Sequence, residues 1–304
     1  MAVIFIFVDG VGLAPQGKGN PFSVVPTPNL SSLLDGNKLV REAADHAYAH
    51  SCLLALDATL GVEGLPQSAT GQTTLFTGIN AASLLGFHLR GFPTNDLLGE
   101  LLKKRGIFRH FLDRGLRCTF ANAYRPDFFR CFTGAAQRSY SCTTLINLYA
   151  GLPFRGPEEL LAGRAVYMDI TNEILRSLGY AFPLITPHMA AKRLVALSRE
   201  YDFILYEYFL TDVAGHKCNH GEKEKVIRIF DAFLGEVVQT MDWQNDLLLM
   251  VSDHGNLECS LIKTHTLNPV PALLVGRGSE KVAGFLQKNK DLTGIFPALE
   301  AWFG

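Results

Sequence analysis

The chain predicts an α/β fold in which a mainly parallel sheet lies between two layers of helices. Three observations point there. Six short apolar runs, at about 2–8, 51–57, 118–124, 203–209, 246–252 and 271–276, are each bounded by polar or turn residues. Runs such as DLLLMVS and FILYEYF are continuously apolar rather than alternating, as strands covered on both faces require. Helical patterning falls between most pairs of these runs.

Taken in order, AVIFIFV is seven apolar residues that meet Asp9 with no basic segment before them, so it reads as a strand and not an export signal. The glycine-rich GVGLAPQGKGNPF that follows is not a phosphate-cradling P-loop, because Lys18 is followed by Gly19 where Ser or Thr is needed; it reads as a rim loop. GLPQSATGQTTLFTG places Ser68 where a helix begins, a position that suits both an N-cap and the holding of an anion. The stretch RSYSCTTLINLYAGLPFRGPEELLAGR has turn signals but no clean period in its first half, and is a candidate lid. Alanine, leucine and basic residues predict a helix over 187–199, and a charged-then-apolar pattern predicts an amphipathic one over 221–240. LLLMVSDHGN ends a strand in Asp253 and His254, and KTHTLNPVPALLVG sets His265 before the last strand.

Length and composition agree with this picture. The 304 residues, 48% hydrophobic, allow a large core with a modest insertion. A net charge of −1, without long like-charge runs, gives no reason to propose nucleic acid or an anionic membrane as partner. The charge is uneven: from Gly91 to Arg193 there are 14 basic and 8 acidic residues, +6, which leaves −7 elsewhere. Such a basic middle suits an element that receives an anionic substrate, with Arg125 and Arg130 as candidate contacts. The six cysteines, Cys52, Cys118, Cys131, Cys142, Cys218 and Cys259, form no C-x-x-C pair, which fits a reducing cytoplasm. Cys218 and Cys259 lie near histidines in sequence, but thiolates suit softer metal sites than the oxygen and nitrogen donors around them. No run approaches the ~18 apolar residues of a membrane span, and the Asn29 sequon is irrelevant in a cytosolic chain.

Asp9, Ser68, Asp212, His216, Asp253, His254 and His265 are of the kinds that hold two divalent ions around a hydroxyl nucleophile. Most follow apolar runs, and ligands in open α/β sheets bind beyond the carboxyl ends of parallel strands. Asp253 and His254 are adjacent and can reach one ion only where the chain turns, which Gly255 is expected to allow. Asp212 and His216 are four apart, a spacing that suits one helical turn or a compact loop.

VDGVG with TPNL, VEGLPQSATGQ, TDVAGH, SDHGNLE and HTLNPVP, in this order, resemble the alkaline phosphatase superfamily, in its branch of cofactor-independent phosphoglycerate mutases and phosphopentomutases. The resemblance covers about the first 90 and the last 110 residues. It implies a three-layer, alkaline-phosphatase-like sandwich with a small inserted cap. Residues 1–92 and 196–304 would form the metal-binding phosphotransfer core, and 93–195 would add remaining core elements plus a small basic cap or lid. It implies that Asp212, His216 and His265 hold one ion, that Asp9, Asp253 and His254 hold the other, and that Ser68 bridges them as nucleophile. Manganese or zinc would serve, with magnesium open.

Two departures shape the expected activity. The family's mutases carry His after the nucleophile glycine, where this chain has Gln72, and only 143 residues lie between Ser68 and Asp212, which leaves room for a small cover. The expectation is a cytoplasmic phosphomonoester hydrolase acting on a small phosphorylated metabolite through a phosphoserine. The alternatives are an intramolecular phosphomutase, a phosphodiesterase, or a non-catalytic metal-binding relative. The oligomeric state is left open.

Overall fold

A computed structural model describes residues 1–131, 140–217 and 219–304. Nine strands are present among them: β1 Val3–Val8, β2 His46–Ala47, β3 Ser51–Leu56, β4 Cys118–Phe120, β5 Asn122–Ala123, β6 Val166–Tyr167, β7 Phe203–Tyr208, β8 Leu247–Val251 and β9 Val270–Gly276. Seven form one sheet in the order β2-β3-β9-β8-β1-β7-β4, while β5 and β6 make a separate parallel pair. All six strands expected from the apolar runs enter the large sheet, the third only through Cys118–Phe120.

The sheet is mixed. β4, β7, β1 and β8 are mutually parallel, β9 runs antiparallel to β8, and β3 antiparallel to β9. β1 therefore lies between β7 and β8, in register Val3↔Phe203 on one side and Val3↔Leu247 on the other.

Alternation along β1 builds both faces. Ile4, Ile6 and Val8 join Tyr206, Tyr208, Leu248 and Met250 beneath helices Pro187–Ala196 and His220–Thr240. Val3, Phe5 and Phe7 join Phe203, Leu205 and Leu249 beneath helices Ser68–Thr77, Ile107–Asp113 and Ile295–Phe303. This is a three-layer α/β sandwich, and both faces of β1 are fully buried, which is why its sequence is continuously apolar. Aromatic packing is dense on the second face, where Phe111 lies 5.0 Å from Phe203 and 4.9 Å from Phe303 between ring centroids.

The expected helices are present as Pro187–Ala196, continued by a 3₁₀ turn to Arg199, and His220–Thr240. The first starts on a Thr186 side-chain cap with Pro187 at its first position, the second on an Asn219 cap. The candidate lid differs from expectation in part. Cys142–Tyr149 is a helix whose Cys142, Leu145 and Ile146 are core residues, so this portion packs inside the sandwich. Its apolar face is read one turn at a time, and a segment this short shows little period. No helix among the described residues is long and apolar enough to cross a membrane.

Candidate metal centre

The carboxyl ends of β1, β7 and β8 lie side by side, and each is followed by residues of the candidate set. Asp9 follows β1 directly, Asp212 and His216 sit on the helix Leu210–Lys217 after β7, and Asp253 and His254 follow β8 at a bend. Ser68 is the first residue of helix Ser68–Thr77, and the N-cap is Gln67 without a side-chain bond. The serine hydroxyl is thus not spent on capping. Its Oγ lies 3.0 Å from His254 Nε2.

Two groups of donor atoms could each surround an ion: Asp212, His216 and His265, and Asp9, Asp212 and His254. In the first, His216 Nε2 is 3.3 Å and His265 Nε2 3.7 Å from the Asp212 carboxylate. The opposite ring nitrogens bond to backbone carbonyls, His216 Nδ1 to Lys263 O and His265 Nδ1 to Pro66 O, both at 2.7 Å. A carbonyl only accepts, so each Nδ1 donates to it and each Nε2 is left facing the Asp212 carboxylate.

In the second, His254 Nε2 is 3.2 Å from Asp9 Oδ1 and 3.6 Å from Asp253 Oδ2. Asp212 has a place in both groups and stands between them, whereas Asp253 is set farther back, its oxygens bonded to Gln72 Nε2 at 3.1 Å and Gly10 N at 3.4 Å. The His254 and His265 rings stack with centroids 3.7 Å apart.

The electrostatics fit a cation. The carboxylates of Asp9, Asp212 and Asp253 all face histidine nitrogens. Burial, then the charge of Asp253, pushes Asp9 well above the usual carboxylate range, and burial raises Asp253 as well. Although burial opposes its charge, the carboxylates of Asp253 and Asp9 carry His254 up to about 10, while burial and then the His254 charge bring His265 down to about 4. Asp9 Oδ1 is buried and accepts no hydrogen bond. An orphaned acceptor among clustered carboxylates and imidazole nitrogens is the arrangement that a divalent ion satisfies.

Several supporting residues lie outside the candidate ligand set. Gln72 donates to both Asp9 and Asp253, at 3.2 and 3.1 Å. Asn256 Nδ2 donates to Asp212 Oδ1 at 2.6 Å. Glu258, fully buried in the SDHGNLE segment, accepts from Gly12 N, Asn256 N, Thr266 Oγ1 and Asn268 Nδ2, which ties the β1, β8 and β9 loops together. Glu207 on β7 accepts from Thr143 Oγ1 at 2.7 Å, and burial lifts it to about 7.

Two glycines are needed here for different reasons. Gly10 has φ of +69°, and a Cβ there would stand 2.7 Å from Asp212 Oδ1. Gly255 was expected to make the turn, but the bend lies at Asp253 and His254; Gly255 is required because a Cβ would come within 2.2 Å of Thr266 Oγ1.

A cavity of about 590 Å³ opens beside these residues, lined in part by Asp9, Ser68, Gln72 and Asp212. Of the two candidate arginines, Arg125 lines it. Arg130 is outside the described lining, because its guanidinium pairs with Asp127 three residues back. Other basic residues of the middle segment are tied down elsewhere, as in Arg117 to Asp202 and Arg155 to Thr119. Cys259 belongs to neither metal-fitting group, and Cys218 lies outside the described residues.

The family model of the Metalloenzyme superfamily matches residues 185–301. A 2,3-bisphosphoglycerate-independent phosphoglycerate mutase of Pyrococcus abyssi is 27% identical over 294 residues, covering 88% of this chain and 69% of the relative. Enzymes of the same name from Thermococcus gammatolerans and Acetivibrio thermocellus are 28% and 34% identical, over 43% of this chain in each case. The chain spans only about a third of the length of those two relatives, 34% and 31%. Among solved structures, the PH0037 protein from Pyrococcus horikoshii superposes with a TM-score of 0.54 at 14% identity, over 91% of this chain and 88% of that one. The C-terminal periplasmic domain of EcEptC from Escherichia coli, in complex with Zn, gives 0.50 at 11% identity over 97% and 80%. The relatives' names point toward a mutase and lend no support to the expectation that hydrolysis is preferred. With its motifs in family order and its C-terminal segment matched by this family model, the chain is similar to the metalloenzymes of the alkaline phosphatase superfamily, on the side of the cofactor-independent phosphoglycerate mutases.

Proposed function

We propose that this chain moves a phosphoryl group from a small phosphomonoester onto Ser68 and from there to an acceptor hydroxyl. The observation that carries this reading is the position of Ser68: its hydroxyl is uncapped at a helix start, 3.0 Å from His254 Nε2, and lines the cavity that Asp9 and Asp212 also line. Asp212, His216 and His265 on one side, and Asp9, Asp253 and His254 on the other, would hold two divalent ions, manganese or zinc with magnesium open. Such ions supply Lewis acidity that lowers the pKa of a serine hydroxyl and offsets charge on phosphoryl oxygens.

The chain's own groups account for the rest. The Ser68 Oγ–P bond forms as the ester P–O bond breaks, and the leaving oxygen takes up the proton that the serine hydroxyl gives up. The N-terminal end of helix Ser68–Thr77 faces the incoming anion with its positive dipole end. Thr73, Thr74 and Thr77 turn their buried hydroxyls to carbonyls one turn back, so none is left unsatisfied in the core. Arg125, from the basic segment that would act as a small cover, is placed to pair with a phosphoryl oxygen or a second polar group.

The acceptor separates two readings. The mutase names of the relatives support return of the phosphoryl group to a second hydroxyl of the same substrate. Gln72 supports water, because an amide bonded to Asp9 and Asp253 neither titrates nor binds metal as the imidazole at that place in the family's mutases would. We take intramolecular transfer as the first reading and hydrolysis as the second, in a cytoplasmic setting. The test is elemental analysis of purified protein followed by a screen of phosphorylated metabolites with Ser68→Ala as control. Isomer formation without free phosphate supports the first reading, release of phosphate the second. Full turnover by the alanine variant would overturn both.

A further inference from the structure

The cavity beside Ser68 is lined by two unlike kinds of residue. Asp9, Ser68 and Asp212 are polar, while Phe92, Tyr124, Phe128 and Phe209 are aromatic. A second cavity of about 260 Å³ continues from it, sharing Tyr124, Arg125, Phe128, Glu207 and Phe209, and reaches toward Phe120 and Met168. An apolar void of about 150 Å³ is enough to take benzene, so the extension has room for a ring.

The aromatic lining is built to be rigid. Tyr124 and Phe128 stack with centroids 4.1 Å apart and planes at 30°, and Phe154 stands edge-on behind both, at 5.1 and 5.2 Å. The Tyr124 hydroxyl is engaged with Thr144 Oγ1 at 2.7 Å, which fixes the ring. Preformed aromatic surface binds flat partners at little entropic cost. The charges point the same way. Among the described residues lining the two cavities, Arg125 is the one cation; Asp9 and Asp212 belong to the groups that would hold the ions, which leaves Glu207 as the carboxylate outside them. One guanidinium can meet one anionic group, and the buried Glu207 carboxylate in the shared lobe stands against a second.

We propose that this site takes phosphomonoesters whose alcohol portion bears a flat, uncharged aromatic or heteroaromatic ring, seated against Tyr124, Phe128 and Phe209, and that it discriminates against esters carrying an additional carboxylate. The proposal rests on the phosphoryl-transfer reading of Ser68, and it holds whether the acceptor is water or a second hydroxyl. It sets the chain apart from the substrate in its relatives' names, since a phosphoglycerate has a carboxylate and no ring.

The test compares benzyl phosphate with 3-phosphoglycerate, both esters of primary alcohols, on the manganese-supplemented protein and its Phe128→Leu and Arg125→Ala variants. Phosphorylation of Ser68 in a single turnover, which needs no acceptor hydroxyl, and calorimetric binding are both read, the latter on Ser68→Ala. The expected result is a preference for benzyl phosphate of about tenfold or more in the efficiency of this first transfer and in Kd, the scale set by burying and stacking one ring. Phe128→Leu should weaken benzyl phosphate more than 3-phosphoglycerate and so erase most of that preference, and Arg125→Ala should weaken both esters. Equal or better use of 3-phosphoglycerate overturns the substrate class and leaves phosphoryl transfer standing. Absence of any Ser68-dependent turnover overturns the transfer reading instead. In that case calorimetry still decides the ring site: Phe128-dependent binding of benzyl phosphate supports it, and no binding removes it.

Discussion

Glu207 offers the most direct check on the electrostatics of the site. It is 7% exposed, on β7 beside the cavity, and burial raises it from an ordinary 4.5 to about 7, with Thr143 opposing the rise and Asp253 adding to it. A carboxyl whose pKa is higher in the folded chain binds a proton there that the unfolded chain has already released. Between pH 4.5 and about 7 the folded state therefore holds more protons, and stability falls as pH rises through that window. At ~1.4 kcal/mol per tenfold change in the proton equilibrium, the displacement amounts to ~3 kcal/mol, present in full above pH 7 and absent below 4.5. Glu207→Gln keeps the shape and can still accept from Thr143, but cannot ionise. In chelated protein, urea unfolding at a series of pH values should show the variant more stable than the parent by up to ~3 kcal/mol at pH 8, with the two converging near pH 4.5. Parallel curves for the two proteins across this range would refute the reasoning, because they would mean Glu207 ionises as freely in the fold as out of it.

Other outcomes follow from the same geometry. Saturating manganese or zinc should raise the melting temperature of chelated protein, by about 2.7 kcal/mol of stability at a hundredfold excess over Kd, and Asp212→Asn should abolish most of that gain because Asp212 has a place in both donor groups. Gly10→Ala should cost about 1–3 kcal/mol for a side chain held at positive φ, with further loss of bound metal on elemental analysis, since its Cβ would press on Asp212. Glu258→Ala should destabilise by about 3 kcal/mol or more in denaturant titration, because it strands buried donors from Gly12, Asn256, Thr266 and Asn268. Phe111→Ala, which empties a fully buried ring from between Phe203, Phe296 and Phe303, should cost about 3–5 kcal/mol by the same assay.

What the sequence conveyed, and what it withheld, follows from how local each signal is. Strands β1, β7 and β8 are legible because both of their faces are covered, so every position is apolar. The direction of β9 was not legible, since an apolar run reads alike in either sense and the loop from Gly255 to Pro269 can return the chain at either end. The edge strand His46–Ala47 and the pair β5–β6 are two residues each, too short to leave a pattern. The candidate ligands stood out because Asp and His after apolar runs are chemically conspicuous. Asn256 and Gln72, which hold those ligands, and Glu258, which ties their loops together, are polar residues whose partners lie 44, 181 and 246 positions away in the chain. Their role exists only once the loops meet. Arg125 and Arg130 show the same limit: five residues apart in one basic stretch, one reaches the cavity and the other is taken by Asp127.

The place of β1 inside the sheet bears on when the candidate site can assemble. Its neighbours on both sides, Phe203–Tyr208 and Leu247–Val251, come some two hundred residues later. At about 5–20 residues per second of synthesis, the earliest strand waits ten seconds or more before either arrives. Until then Asp9 has no companion imidazole, and premature capture of a stray cation by a half-made protein is disfavoured by the order in which the message is read.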